Sequence, residues 1–397
     1  MIKFALRHNL KYPLQLLLWN ILRDIELYII IRFYNFNSII YTPLMFLGEF
    51  LAGLIIYLYQ KQFLSKDLRT KLSRYSSLQF GKIKRLKLNI DGKIKIYYLI
   101  FNIAFSDFIQ FVIGIYTSRY INISSSLESR LRGFLTIYNA LFYYFILKLP
   151  IFKHQFLSLI IIGFCNLIII INEFVFQEIN IFLSYTQFIF FFFLILIIQS
   201  NSAMIESIEK YLFEFNNLNP FFVLIFEGVF GFILSFIYSL FHSPFDDIIL
   251  FKKNNSNSDF IILILALILY LILSGLKNSY RVLTTKIYSP MTTTFMDYIL
   301  NPFFLSYYFV AKDDFISFGQ INASYFIINL IISIVLSFIG CVYNEFFILF
   351  FCGLERNTHD QIVKRSKLEI KRTKIFELVD EENEDNTFNN LEPSLYI

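Results

Sequence analysis

Several ionisable side chains stand in stretches too apolar to hydrate them. They are Glu49 in "LGEFLAG", Asp107, Arg132 in "LRGFLTIYNALFYY", Glu227 in "FEGVFG" and Asp297 in "TTTFMDYILN". A charge held out of water is costly, so it faces a partner or a cavity. A guanidinium offers paired donors to a phosphate or carboxylate. A carboxylate beside it can orient the guanidinium or exchange a proton. This chemistry suits binding a polar anion. It does not suit covalent catalysis: no H-E-x-x-H, D-D-x-x-D or G-x-S-x-G is present, and the four histidines are dispersed.

Helical spacing says which way each charge points. Residues two apart on a helix diverge by about 200°. Arg130 and Arg132 therefore cannot share a face. Arg132 continues into Thr136, Asn139 and Tyr143, a polar stripe, whereas Arg130 continues into Phe134, Ile137 and Leu141. Arg132 is expected to face the interior, and Arg130 to snorkel. Asp107 shares its face with Gln110 and Gly114, and Asp297 lies between Thr293 and Asn301. Arg132, Thr136, Asn139, Tyr143, Asp107, Asp297 and Asn278 are the candidate substrate contacts. Arg132 has a second reading, as the partner of Asp107 or Glu49. Glu49 and Glu227 have structural readings too, because each adjoins small residues that let helix backbones approach. Glu206, Glu209 and Lys210 fall at a helix end, where solvation or capping is expected.

These residues sit in an all-α frame. Of the residues, 56% are hydrophobic and 16% charged, against about a quarter charged in soluble domains. The apolar residues come in blocks of about 20, the length of a bilayer core. Ten spans are expected, at 13–33, 38–59, 96–117, 125–148, 154–172, 181–200, 218–241, 259–278, 290–310 and 321–351. The first is weak, interrupted by Arg23, Asp24 and Glu26. With a cytosolic N-terminus, 27 Lys and Arg fall on the cytosolic side, four on the other and four within spans. That asymmetry supports an even number of spans with both termini cytosolic. The net charge of +5 therefore reports topology and excludes nucleic acid as partner. The segment 60–95 reads as a basic cytosolic loop against anionic lipid, and 356–397 as a basic, then acidic, mostly disordered tail. The three cysteines show no disulfide or zinc spacing, no metal or cofactor is expected, and no cleavable signal peptide is read. Among three N-x-S/T sequons, Asn254 is the usable one.

Spans two and seven each carry a glutamate beside glycine, and spans four and nine each carry a charge on a polar stripe. The offset is five, an odd number, so the halves would have opposite orientation. In order along the chain, "MFLGEFLAGLIIY" (Met45–Tyr57), "SSSLESRLRGFLTIYNALFYYFILKLPIFKHQ" (Ser124–Gln155), "EKYLFEFNNLNPFFVLIFEGVFGF" (Glu209–Phe232) and "LTTKIYSPMTTTFMDY" (Leu283–Tyr298) resemble the nucleotide-sugar-transporter-like branch of the drug/metabolite transporter superfamily. This is solute-carrier family 35 with its EamA-domain relatives, and "GCVYNEFFILFFCGLERNT" (Gly340–Thr358) resembles the end of its divergent subgroup.

The resemblance implies an all-α polytopic membrane protein of ten transmembrane helices in two inverted five-helix repeats around a central cavity. The repeats would occupy 1–176 and 177–355. It implies a carrier of a nucleotide-linked or other small polar metabolite across a Golgi, endoplasmic-reticulum or other endomembrane. Its Leu-Arg-Gly matches Leu131-Arg132-Gly133 and its Glu-Gly matches Glu227-Gly228. The chain departs from the pattern in following Asp297 with Tyr298, Ile299, Leu300 and Asn301 instead of an arginine.

The resulting expectation is a secondary transporter, not an enzyme. Its anionic substrate meets Arg132, with Lys277 or Arg281 at the cytosolic mouth and Tyr138 or Tyr143 available to stack. Glu49, Glu227, Gly228 and Gly133 are expected in structural or coupling roles. Membrane lipid and a small molecule are the expected partners, with a homodimer left open. The rival readings are a non-transporting scaffold of the same fold and a carrier of a different metabolite.

Overall fold

The computed structural model describes residues 2–3, 11–34, 36, 40–63, 93–121, 131–146, 151–176, 185–215, 218–242, 244–299, 301–302 and 323–349. Apart from two two-residue strands, the described elements are helices. They are α1 Lys11–Tyr34, α2 Tyr41–Phe63, α3 Lys93–Ile121, α4 Gly133–Ile146, α5 Lys153–Phe176, α6 Tyr185–Phe215, α7 Pro220–His242, α8 Pro244–Asn254, α9 Asn257–Ile287, α10 Pro290–Tyr298 and α11 Ala323–Tyr343. Strands β1 (Ile2–Lys3) and β2 (Ile348–Leu349) pair antiparallel and bring the N-terminal segment beside the chain leaving α11. The tail at 356–397 and most of the basic loop lie outside the described residues.

Proline marks where several helices begin. Pro220, Pro244 and Pro290 are first residues, and Pro13 and Pro43 are third. In the first turn the missing N–H has no intrahelical acceptor, and the fixed φ suits the helix.

Each expected span contains a helix. Seven of the described helices are long and apolar enough to cross a membrane: α2, α3, α5, α6, α7, α9 and α11. The chain reads as an integral membrane protein. Its outer face is apolar, with Ile55, Phe145, Phe164, Ile197, Phe241 and Leu265 exposed. Exposed apolar side chains spread over so many helices exceed what water tolerates on a soluble surface; lipid is the solvent that suits them. Helix α1 runs unbroken for 24 residues through Arg23, Asp24 and Glu26. Helices α4 and α10 are short. Residues 131–132 form a turn ahead of α4, and α10 stops at Tyr298, with helix resuming at 301–302. Pro302 contributes to that break, because it has no N–H to give the Tyr298 carbonyl four residues earlier.

The interior is organised around α2, which packs on both α7 and α9. The α2–α7 crossing is close: a Cβ on Gly228 would lie 2.6 Å from the Phe50 nitrogen and 2.8 Å from the Phe46 carbonyl oxygen. At the α2–α9 crossing, a Cβ on Gly48 would collide with the Leu271 carbonyl oxygen, and one on Gly275 with that of Gly48. Other extensive pairings are α1 on α9, α3 on α6 and α7, α4 on α5 and α6, α5 on α11, and α10 on α1 and α4.

Candidate functional site

Two charged groupings lie inside the bundle. The first is a small recess between α1, α4, α9 and α10, with about 20 Å³ of accessible space, lined by Asn20, Arg23, Asp24, Arg132, Lys277 and Asp297. Asn20, Arg23 and Asp24 come from the middle of α1. Arg132 stands in the turn that opens α4, its carbonyl accepting the Leu135 N–H at 3.0 Å. Asp297 lies one residue before the end of α10, and Lys277 stands ten residues from the end of α9.

The Asn20 amide donates to one Asp297 oxygen at 2.7 Å, and the other lies 3.6 Å from the Arg132 guanidinium. These two side chains keep 25% and 32% exposure respectively. Their placement at opposite helix ends is favourable twice over. Arg132 approaches the electronegative C-terminal end of α10, and Asp297 the electropositive N-terminal end of α4. Arg23 donates to Asp24 through Nε at 3.0 Å and Nη2 at 2.5 Å. Lys277 makes no hydrogen bond or ion pair among the described residues. The charged groups that act on it are Arg23, Asp297, Asp24 and Arg132.

The second grouping is closed. Arg281, one turn beyond Lys277 on α9, lies 2.8 Å from Glu209 of α6 and 3.3 Å from Glu227 of α7. Both carboxylates are 0% exposed. Asp107 of α3 adds its charge to the same neighbourhood. Glu49 of α2 belongs to the same neighbourhood and accepts from the Asn278 amide. Four helices, α2, α6, α7 and α9, are thus joined by buried polar contacts.

The remaining candidates fall outside the recess. Asn139 is buried and donates to Glu206 Oε2 at 2.8 Å and to the Thr294 hydroxyl at 3.0 Å. Thr136 is buried, and Tyr143 packs with Tyr211, Met291 and Tyr343. Gly133 backs onto Asn166, whose amide a Cβ would approach to 2.7 Å. The polar stripe below Arg132 therefore leads toward Glu206. Asn278 serves Glu49, and Arg132 meets Asp297; the charges of Asp107 and Glu49 act on Arg281 instead. Arg130 lies outside the described residues.

Sequence reasoning passed over the α1 charges, reading Arg23 and Asp24 as erosion of a span. Their position at mid-helix was the available signal. It also placed Glu209 and Lys210 at a helix end. Both are completely buried, and Lys210 Nζ donates to the carbonyls of Lys286 at 2.8 Å and Tyr288 at 3.3 Å, capping the end of α9. Among the described residues no three His, Cys, Asp or Glu side chains converge as metal ligands. No family model matches the chain, and no curated protein matches it.

Proposed function

We propose that this chain is a secondary transporter that moves a small polar, anionic metabolite across an endomembrane by alternating access, with the recess as its binding site. The observation that carries the reading is the charge of that recess. Among the described residues, three cations converge there against two carboxylates, beside the turn that opens α4 and the end of α10. Carriers commonly place their sites at helix ends within the bundle, where unsatisfied backbone groups can meet a substrate. An excess of positive charge inside a lipid-solvated bundle is costly without an anion, and a soluble anionic ligand supplies one.

The pattern of helix packing supports a ten-helix frame of two inverted five-helix repeats, with α8 as an insertion. Number the remaining helices one to ten. The pairings two–seven, four–nine and five–ten map onto themselves when five is added or subtracted. Two–eight maps onto three–seven, one–eight onto three–six, and four–six onto one–nine, and all of these are observed pairings. Five being odd, the halves would be inverted, and the recess joins helices one and four of one half to eight and nine of the other. Rocking of the halves about this seam would expose it to either side in turn.

Uptake into proteoliposomes containing the full chain tests the reading. A panel of carboxylates, phosphate monoesters and nucleotide sugars would be offered outside, with vesicles preloaded with the same solutes. Saturable, preload-dependent uptake of an anion is expected. A folded, reconstituted protein that moves no member of the panel would overturn the reading.

A further inference from the structure

We infer that Lys277 is the group that holds the ligand's negative charge, and that the ligand is a compact anion of one net charge. The inference rests on the carrier reading for its setting and on charge balance for its content. Among the described residues the recess holds Arg23, Arg132 and Lys277 against Asp24 and Asp297, three positive charges against two negative. Four of these are already engaged with one another. Arg23 binds Asp24 through two nitrogens, and Arg132 pairs with Asp297, whose other oxygen takes the Asn20 amide. The Lys277 ammonium is left over. It carries three donors and one charge, with no acceptor among the described residues.

A half-buried ammonium without an acceptor is the least stable part of this arrangement. One negative charge beside it would neutralise the recess without breaking either existing pair. A second would have to displace Asp24 or Asp297 from an arginine. The space decides size in the same way. The recess as it stands holds about 20 Å³ of accessible space, room for about one water, so any ligand must open it further. A short carboxylic acid needs far less opening than a nucleotide joined to a sugar. Arg132 then has a positioning role, holding Asp297 and the two helix ends around the recess, while Lys277 discriminates by charge.

Binding and flux are read separately on the full-length purified protein. Thermal stability in detergent is titrated with lactate and benzoate, with the neutral lactamide and benzamide, and with glycerol 3-phosphate and uridine diphosphate glucose. The monocarboxylates should raise Tm saturably and the amides should not. Lys277→Gln should raise the half-saturating concentration of the acids at least tenfold, and Lys277→Arg should stay within threefold of wild type. Amides binding as well as acids, stronger binding of the phosphate or the nucleotide sugar, no binding by any monocarboxylate, or unchanged binding in Lys277→Gln would each overturn the inference. The acid–amide comparison uses wild type alone, so it decides even if Lys277→Gln does not fold. Binding without vesicle uptake would remove the carrier reading and leave the Lys277 assignment. Uptake that ignores Lys277 would do the reverse.

Discussion

Replacing Arg281 by glutamine removes the guanidinium from between Glu209 and Glu227. The lost attraction is the smaller part of the effect. Polar contacts between membrane helices average only about 0.6 kcal/mol in mutant cycles, because the unfolded chain finds other partners in the membrane. What remains behind matters more. Glu209 and Glu227 are completely buried, with Asp107 and Glu49 beside them. Breaking a buried pair by removing one partner costs about 3–5 kcal/mol, since the survivor keeps its desolvation without compensation. Two survivors on two helices place Arg281→Gln at about 3–5 kcal/mol. The triple variant Arg281→Gln, Glu209→Gln, Glu227→Gln removes the stranded charges and leaves amides that bond to one another. It should recover more than half of the loss. Equilibrium unfolding of the reconstituted protein in mixed micelles, titrated with dodecyl sulfate, measures both. A loss below about 1 kcal/mol for the single variant, the level of an exposed pair, would refute the reasoning, as would a triple variant no more stable than the single.

The Arg132–Asp297 pair sets the contrast. Its side chains are a quarter to a third exposed and 3.6 Å apart, so Asp297→Asn should cost no more than about 1 kcal/mol by the same titration. At the α2–α7 crossing, Gly228→Val should cost about 1–3 kcal/mol as overpacking, because its Cβ meets backbone atoms that cannot rotate away. Gly163→Ala is the matched control, its nearest neighbour being Ile137 Cδ1 at 3.9 Å; the better helix propensity of alanine should make it neutral or slightly stabilising in a melting experiment. Lys210→Met should leave the Lys286 and Tyr288 carbonyls without their donor and cost about 1–3 kcal/mol, seen as faster amide exchange at the end of α9.

Arg132 and Lys277 show how far a linear reading reaches. Helical spacing put Thr136, Asn139 and Tyr143 on one inward face, and all three are buried. Spacing could not say what that face meets, because Glu206 is 67 residues from Asn139 along the chain. Nor could it rank the cations. Arg281 and Lys277 are neighbours on one helix face, but only packing shows that the first is enclosed by carboxylates and the second opens into the recess. Asn278 illustrates the same limit: a polar residue beside Lys277 turned out to serve Glu49 on α2. In α1, two charges that lower the hydropathy of a span are lining residues of the recess, a role invisible without α4, α9 and α10.

The sequence alone determined what depends on local chemistry. Apolar blocks of bilayer length dictate helices, because backbone groups in lipid must be satisfied within their own segment. Prolines in first turns set where several of them begin, and glycines permit the close crossings. Charges within those blocks must lie inside the bundle or at its ends. Tertiary structure decided the pairing. A buried charge is stabilised by whichever opposite charge comes within a few ångströms, and that distance is set by helices far apart in the chain. Arg281 therefore belongs to Glu209 and Glu227, Arg132 to Asp297, and Lys277 to the open space between them.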